Sequence, residues 1–341
     1  MSAYESLRYL GGGYFGEVWL EKDNALNRNC AAKYIRRTLD LGERGPFAEA
    51  QAMVHAEHDH VVRIYSAEMD DGVPVIRMEY LPDGSISDRY GKHPLPIGDS
   101  LKAIIDACRG LEFLHTRGWL HRDLKPANLM LGHNGEVKLS DFGLACTEDH
   151  VHQLPIGYAT HLPPESVSSG YIDSVAGDIY AMGTTLYRLV NGDVFFESQI
   201  DDDADLVDLI ERGKLPRRDQ YLPHIHKSLR RVINKALNVD PCKRYDSASE
   251  FRHAIESVIP KVSWREVGLD EGVGWDGRGG SDGWRARIQS TKRGKFSFKV
   301  ERKTASGVYR ALRSDSQSFD TEQDAIQFAA AVLDRIAAIG K

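Results

Sequence analysis

Cysteine is scarce in this chain. The four present, Cys30, Cys108, Cys146 and Cys242, are far apart and form no C-x-x-C pair. That excludes a disulfide framework and a paired-cysteine zinc site, and points to reduced thiols in a cytoplasmic protein. Long apolar runs are missing too: no stretch approaches the roughly 18 residues of a membrane span. The first residues, MSAYESLRYLGGG, lack the basic-then-apolar order of a signal peptide. There is no internal repeat and no low-complexity tract. A net charge of −6 excludes a uniformly basic nucleic-acid binder but leaves room for a local basic patch. What remains is ordinary globular composition, 41% hydrophobic and 28% charged, which argues against wholesale disorder. At about 150 residues per domain, 341 residues suggest two or three domains.

Three zones emerge along the chain. Residues 4–82 read as strands around one helix, and residues 83–260 as mostly helical, including a core-facing helix marked by Leu101, Ile104, Ile105, Cys108 and Leu111. Composition changes near residue 260. Seven glycines fall among the 16 residues from Gly268 to Gly283, so 261–283 reads as a Gly-rich connector. A long loop packed by Trp264, Trp275 and Trp284 is the alternative. Beyond it, 284–290, 295–302 and 308–313 read as strands. Thr321 then opens a helix with Asp324 as its capping partner, followed by Ala325, Ile326, Ala329, Val332, Leu333 and Ile336 at helical spacing.

Leu10-Gly11-Gly12-Gly13-Tyr14-Phe15-Gly16-Glu17-Val18 carries glycines at G-x-G-x-x-G spacing. Without Cβ atoms the backbone N–H groups can approach phosphate oxygens closely. Dinucleotide-binding folds use the same spacing, but there the loop opens a helix. Here Glu17-Val18-Trp19-Leu20 favours a strand, as in a hairpin lid over a nucleotide. Lys33, in Ala31-Ala32-Lys33, comes at the distance of the next strand and can reach the α- and β-phosphates. Glu49, in a run of good helix formers, is the candidate acidic partner that fixes it.

Leu120-His121-Arg122-Asp123-Leu124-Lys125-Pro126-Ala127-Asn128 follows, then a strand-like Val137-Lys138-Leu139, then Asp141-Phe142-Gly143. With these motifs in this order, residues 4–260 resemble a eukaryotic-type (Hanks-type) serine/threonine protein kinase of the bacterial kind. The resemblance implies an α+β, bilobal protein kinase fold: a β-rich N-lobe over 4–82, a helical C-lobe over 83–260, and here a small C-terminal β-β-β-α domain over 284–341. It implies ATP and Mg²⁺ as cofactors and transfer of the γ-phosphate to protein hydroxyls, with autophosphorylation. By resemblance Asp123 accepts or orients the substrate hydroxyl proton and Lys125 steadies the transferring group. Asn128 and Asp141 hold Mg²⁺, and Lys33 binds phosphate oxygens and pairs with Glu49. Leu10, Gly11, Gly13 and Gly16 cover the nucleotide. Val18 and Ala31 roof the adenine and Met130 floors it. Met78 resembles the gatekeeper, Glu79 and Leu81 belong to the hinge, and Ser85 falls near the ribose. Asp178 in Gly177-Asp178-Ile179-Tyr180 resembles the buried aspartate that holds the catalytic loop. Glu165 of Leu162-Pro163-Pro164-Glu165 is expected to pair with Arg244. Met53, Ile64, His121 and Phe142 fit the apolar spine joining the lobes.

Two departures stand out. The segment from Asp141 to Glu165 is short, with Thr147, Tyr158 and Thr160 as its hydroxyls. Relatives with an arginine at Arg122 often use it to grip a phosphothreonine of this segment, whereas Glu148 and Asp149 could supply negative charge here without phosphorylation. Tyr158 stands where these kinases carry a threonine that bridges the catalytic Asp and Lys, so either Thr160 substitutes or substrate docking is unusual.

The tail is basic. From Trp284 to Arg313 there are ten basic residues and one acidic, Glu301, a local balance of +9, interleaved with Trp284, Phe296, Phe298 and Tyr309. It resembles the three-strands-and-helix DNA-binding domains of the plant ethylene-response type and of phage integrase arms. The expected partners are therefore ATP, a protein substrate, and either a nucleic acid or an acidic protein at the tail, with no membrane; a tail that docks on its own kinase lobe is the plainer reading. A kinase-fold scaffold or sensor whose tail does the binding is the alternative. A small-molecule kinase of the antibiotic-phosphorylating sort is disfavoured by the P-P-E segment, Asp178 and Arg244.

Overall fold

The computed structural model describes residues 3–13, 16–35, 57–141, 160–167, 173–201, 204–280 and 282–340. The first zone is a five-stranded antiparallel sheet in the order β1-β2-β3-β5-β4: β1 (Tyr4–Gly13), β2 (Gly16–Asp23), β3 (Arg28–Ile35), β4 (Ile64–Asp70) and β5 (Val73–Glu79). The glycine loop is the turn between β1 and β2, with Gly13 opposite Gly16. Gly16 has φ +152°, and a Cβ there would lie 2.0 Å from the Tyr34 carbonyl oxygen, so glycine is required. The helix expected around Glu49 falls at 36–56, outside the described residues.

The second zone is built on α1 (Ile86–Tyr90), α2 (Ile97–His115), the short hairpin β6 (Leu129–Leu131) and β7 (Val137–Leu139), and α3 (Val175–Asn191). Then come α4 (Asp193–Glu197), α5 (Leu206–Glu211), α6 (Lys227–Ala236) and α7 (Ala248–Glu256). The five apolar residues that marked a core helix are all buried on α2. Where α2 passes the segment leading into β4 it comes very close: a Cβ on Gly110 would meet the His60 carbonyl oxygen at 2.2 Å. Apolar side chains of α2, α3, α6 and α7 form one core continuous with the β6–β7 hairpin and with the inner face of the first sheet.

The protein is thus a β-rich lobe on a helical lobe, with a further sheet and helix after them. That last unit departs from the expected strand count. Its sheet has six strands: β8 (Ser263–Val267), β9 (Val273–Gly279), β10 (Asp282–Ser290), β11 (Phe296–Lys303), β12 (Tyr309–Ala311) and β13 (Gln317–Phe319). They run in the order β12-β11-β10-β9-β8, with β13 also on β11. α8 (Glu322–Ile339) follows, capped by Thr321, whose hydroxyl accepts from the Asp324 N–H at 3.1 Å.

The stretch 261–283 is therefore not a connector; β8 and β9 lie in it. Its glycines are packing residues. Gly277 lies in register between Trp264 and Trp284, and a Cβ on it would meet the Trp264 ring at 2.7 Å. Gly272 (φ +89°) passes so close to β10 that a Cβ would meet the Ile288 carbonyl oxygen at 2.0 Å. Trp264, Trp275 and Trp284 are fully buried against α8 in a second, separate core. The unit is tied to the helical lobe at two places. Ser263 Oγ accepts from the Gly98 N–H (2.8 Å), and Asp334 Oδ1 from the Lys227 N–H (2.6 Å). Among the described residues no helix is long and apolar enough to cross a membrane.

Candidate active site

A cleft with a cavity of about 480 Å³ opens between the two lobes. Leu10, Gly11, Gly13, Gly16, Val18, Ala31 and Lys33 line it from the first sheet, and Glu79, Leu81 and Ser85 from the segment joining the lobes. Asp123, Lys125, Asn128, Met130 and Asp141 line it from below. Fifteen of the sixteen residues singled out from the sequence thus share one cleft; the sixteenth, Glu49, lies outside the described residues.

The floor is held by the loop from His121 to Asn128 and by the β6–β7 hairpin. Asn128 ends the loop in a 3₁₀ turn opened by Pro126, and its carbonyl oxygen accepts from the Ser140 N–H at 3.0 Å. This sets Asn128 beside Asp141. The loop is gripped from α3: Asp178 accepts from the His121 and Arg122 N–H groups, both at 2.8 Å, and from His115 Nε2 at 2.8 Å. That is the role expected of Asp178. Two non-glycine residues here have positive φ, Arg122 (+68°) and Asp141 (+59°), as happens where surrounding contacts over-determine a functional backbone.

The polar side chains form two pairs. Lys125 Nζ donates to both Asp123 carboxylate oxygens (2.9 and 2.8 Å), and Asn128 Nδ2 donates to Asp123 Oδ2 (2.9 Å) and to its carbonyl oxygen (2.7 Å). Lys33 Nζ donates to Asp141 Oδ1 at 2.7 Å, joining the roof to the floor. Burial pushes the Asp141 carboxyl up, but the Lys33 ammonium, its hydrogen bond and the Lys125 charge more than reverse this, leaving it below the usual carboxylate range. Asp141 is therefore an anion at neutral pH. Burial holds His121 neutral against the pull of Asp178 and Asp123.

With Nδ2 of Asn128 committed to Asp123, its Oδ1 is the atom available to a hard cation beside the Asp141 carboxylate. Among the described residues there is no group of three or more His, Cys, Asp or Glu able to hold a metal. Two protein oxygens completed by phosphate oxygens and water suit Mg²⁺, which rarely occupies an all-protein cage.

Arg8 and Asp88 are charged cleft residues that were missed from the sequence. Arg8 on β1 reaches the joining segment, its Nη2 donating to the Tyr80 hydroxyl at 3.1 Å. Asp88 caps α1 reciprocally with Ser85, accepting from the Ser85 N–H (2.9 Å) and hydroxyl (2.8 Å), and lines the cavity next to it. The Ser85-x-x-Asp88 capping box was a readable signal for Asp88. The Glu79 carboxylate accepts from Lys138 Nζ at 2.9 Å.

The far side of the helical lobe carries a further motif pair. Arg244 donates from Nη1 and Nη2 to the two Glu165 oxygens, each at 2.6 Å, as expected. A family profile described as "Protein kinase domain" matches residues 4–255. The chain belongs to the protein kinase family. Protein kinases use ATP with Mg²⁺, in keeping with the donor set of this cleft. Among curated kinases, the serine/threonine-protein kinase PrkC of Bacillus subtilis is 28% identical over 267 residues, covering 75% of this chain and 40% of that protein. The serine/threonine-protein kinase PknB of Mycolicibacterium smegmatis is 33% identical over 267 residues, covering 73% and 42%. PknB of Mycobacterium tuberculosis is 32% identical over 266 residues, again covering 73% and 42%. The chain therefore spans about two fifths of the length of these kinases.

Several expectations for the activation segment, those on Phe142, Thr147, Glu148, Asp149 and Tyr158, fall at 142–159, outside the described residues, as does Met53 of the spine. Ile64 and His121 of the spine are buried. Thr160 is described: its hydroxyl lies 3.4 Å from His161 Nδ1, while Asp123 and Lys125 pair directly with each other. His161 Nε2 sits 3.2 Å from Arg188 Nη1. Burial, then the Arg188 and Lys125 charges, hold that imidazole well below its usual range, so it is neutral and accepts from Arg188.

Proposed function

We propose that this protein is an ATP-dependent serine/threonine protein kinase. The observation that carries the reading is the paired arrangement in the cleft, Lys33 with Asp141 and Lys125 with Asp123, the latter also held by Asn128. Phosphoryl transfer asks little covalent chemistry of the protein; it asks for positioning and for charge aimed at the transferring group. In this reading Lys33 holds α- and β-phosphate oxygens, and Asn128 Oδ1 with the Asp141 carboxylate hold Mg²⁺. The metal neutralises phosphate charge when bound. Asp123 accepts the proton of the substrate hydroxyl, and Lys125 steadies the γ-phosphoryl oxygens. Leu10, Gly11, Gly13 and Gly16 cover the phosphates; Val18, Ala31 and Met130 sandwich the adenine, with its edge on the backbone of Glu79 and Leu81 and the ribose near Ser85. Glu49 is assigned as the partner of Lys33 on sequence alone. The free thiols Cys30 and Cys108, both buried, suit a reducing, cytoplasmic setting.

The test is phosphate transfer by the purified chain with Mg-ATP, compared with Asp141→Asn and read by intact mass and site mapping. Phosphoserine or phosphothreonine on wild type alone is the expected result. Equal labelling of both proteins, or none of either on itself and on a basic protein substrate, would overturn the assignment and leave a kinase-fold scaffold.

One observation favours a second role, recruitment of a nucleic acid by the C-terminal sheet. The strand register sets Arg265, Arg278, Arg285, Arg287, Lys299 and Lys303 on the sheet face opposite the tryptophans, with Asp276 and Glu301 as its acidic residues. Arg287 is neutralised by Asp276 at 2.7 Å, and Arg285 stacks over Tyr309 at 3.9 Å. Among the described residues Arg265, Arg278, Arg285, Lys299 and Lys303 carry no ion pair. Five such cations predict duplex binding whose logarithm falls against log salt with a slope of about −4.5. Filter binding from 50 to 200 mM salt checks it. A slope near zero, or binding unaffected by Arg285→Glu with Lys299→Glu, would exclude the role and favour a protein partner.

A further inference from the structure

Arg122 immediately precedes Asp123 and sits in the left-handed region, where a side chain with a Cβ is held only by its contacts. Its backbone N–H is fixed by Asp178 at 2.8 Å. Its side chain is fixed separately: Nε lies 3.1 Å from Asp173 Oδ2. Both side chains are about 30% exposed, in a position where charge is partly desolvated but still reachable. Asp173 directly precedes Ser174, which caps α3 by accepting from the Gly177 N–H at 3.1 Å. Asp173 and Asp178 therefore flank one helix start, Asp173 just before its cap and Asp178 in its first turn. One carboxylate accepts a hydrogen bond from the Arg122 N–H, and the other forms an ion pair with its guanidinium.

We propose that Asp173 is a positioning residue for phosphoryl transfer: its carboxylate holds Arg122, and through it the backbone of Asp123, where other kinases spend a phosphorylated activation-segment hydroxyl. The inference rests on the kinase reading above. A phosphate and a carboxylate do the same thing to a guanidinium here, since each supplies oxygen acceptors and negative charge. The difference lies in supply. A phosphate must be added by an enzyme, whereas Asp173 is built into the start of α3 and is present at all times. Holding Asp123 in place then does not wait for modification of Thr147 or of any other segment hydroxyl. Asp173 does not line the cleft, so its effect is expected on turnover and not on nucleotide affinity.

The experiment compares wild type freed of phosphate by phosphatase, and verified by intact mass, with Asp173→Asn, Asp173→Ala and Asp173→Glu. Three quantities are measured: kcat and the KM for ATP on a protein substrate, hydrogen exchange of the amides of residues 121–128, and Tm. Phosphate-free wild type is expected to turn over at its full rate. The Asn and Ala variants are expected to lose about 10-fold in kcat with the KM for ATP unchanged, since a small misplacement of the reacting groups is costly. Their 121–128 amides should exchange faster, and Glu should restore most of both. A merely structural residue would lower Tm without a kcat-against-KM split and without rescue by Glu. Wild-type kcat and exchange in the Asn variant would overturn the proposal. So would a 10-fold rise in wild-type turnover on phosphorylation of the segment. If wild type itself transfers no phosphate, the kinase reading fails, and the exchange comparison still decides whether Asp173 holds the loop.

Discussion

Asp123→Asn is expected to lower the rate of phosphate transfer by about 10³-fold while nucleotide affinity stays within about twofold. The substitution keeps the shape of the side chain, so the hydrogen bond from Asn128 can still be accepted at an amide oxygen. What it removes is the anion. Asp123 sits 2.8 Å from Lys125 Nζ, and an amide there neither takes a hydroxyl proton nor balances the ammonium. The nucleotide contacts assigned to Lys33 and Asp141 are a separate pair, joined across the cleft at 2.7 Å, and are untouched. Steady-state turnover with a protein substrate, alongside calorimetric titration of the nucleotide, separates the two effects. Affinity and rate falling together would mean that Asp123 holds the cleft open or closed and does not take part in transfer. An unchanged rate would remove it from the chemistry.

Arg244→Leu is expected to destabilise the helical lobe by about 3 kcal/mol, because it leaves a carboxylate behind without its counter-charge. The Arg244 side chain is fully buried and Glu165 mostly so. The guanidinium also donates to the carbonyl oxygens of Asn238 (2.8 Å) and Ala176 (2.9 Å) and lies over the Tyr180 ring. Losing it strands several acceptors at once. The double variant Arg244→Leu with Glu165→Gln should recover part of the loss, since the uncompensated charge is then gone. Urea unfolding of the three proteins measures this. An Arg244→Leu single variant within about 0.5 kcal/mol of wild type would mean that Glu165 finds water or protonates instead. Because Ala176 lies two residues before Asp178 in the first turn of α3, the same change is expected to weaken the grip on the catalytic loop and reduce turnover beyond the loss of folded protein.

Much of the cleft could be read along the chain because its chemistry is local. Asp123, Lys125 and Asn128 lie within six residues, and their mutual contacts need only one tight loop ended by a proline-started turn. Gly16 is demanded by the turn it occupies. Lys33 and Asp141 are 108 residues apart, and here the motifs stood in for geometry: their order implied a meeting that only the folded lobes bring about. Arg8 gave no signal, since an arginine on an edge strand looks like a solvated residue until the joining segment comes beside it. Asp173 gave none either; its meaning depends on α3 lying beneath the catalytic loop.

The Gly-rich stretch shows the limit from the other side. Glycine has two uses, chain freedom and the absence of a side chain, and composition cannot tell them apart. In 268–283 the second use governs at Gly277 and Gly272, where tryptophan and backbone come too close for a Cβ. The formal charge of the basic tail likewise overstates its field. Arg287 and Arg302 find Asp276 and Asp282, which belong to the stretch first read as a separate connector. The residue types and their spacing, then, were enough for the strands and helices of the two lobes, which follow from periodicity, and the ordered motifs, through the family they resemble, for the residues that meet in the cleft. Which charges are neutralised, which glycines are rigid, and what holds Arg122 are matters of distance between segments remote in sequence. No local pattern encodes those distances; they are set by how the cores and sheets pack.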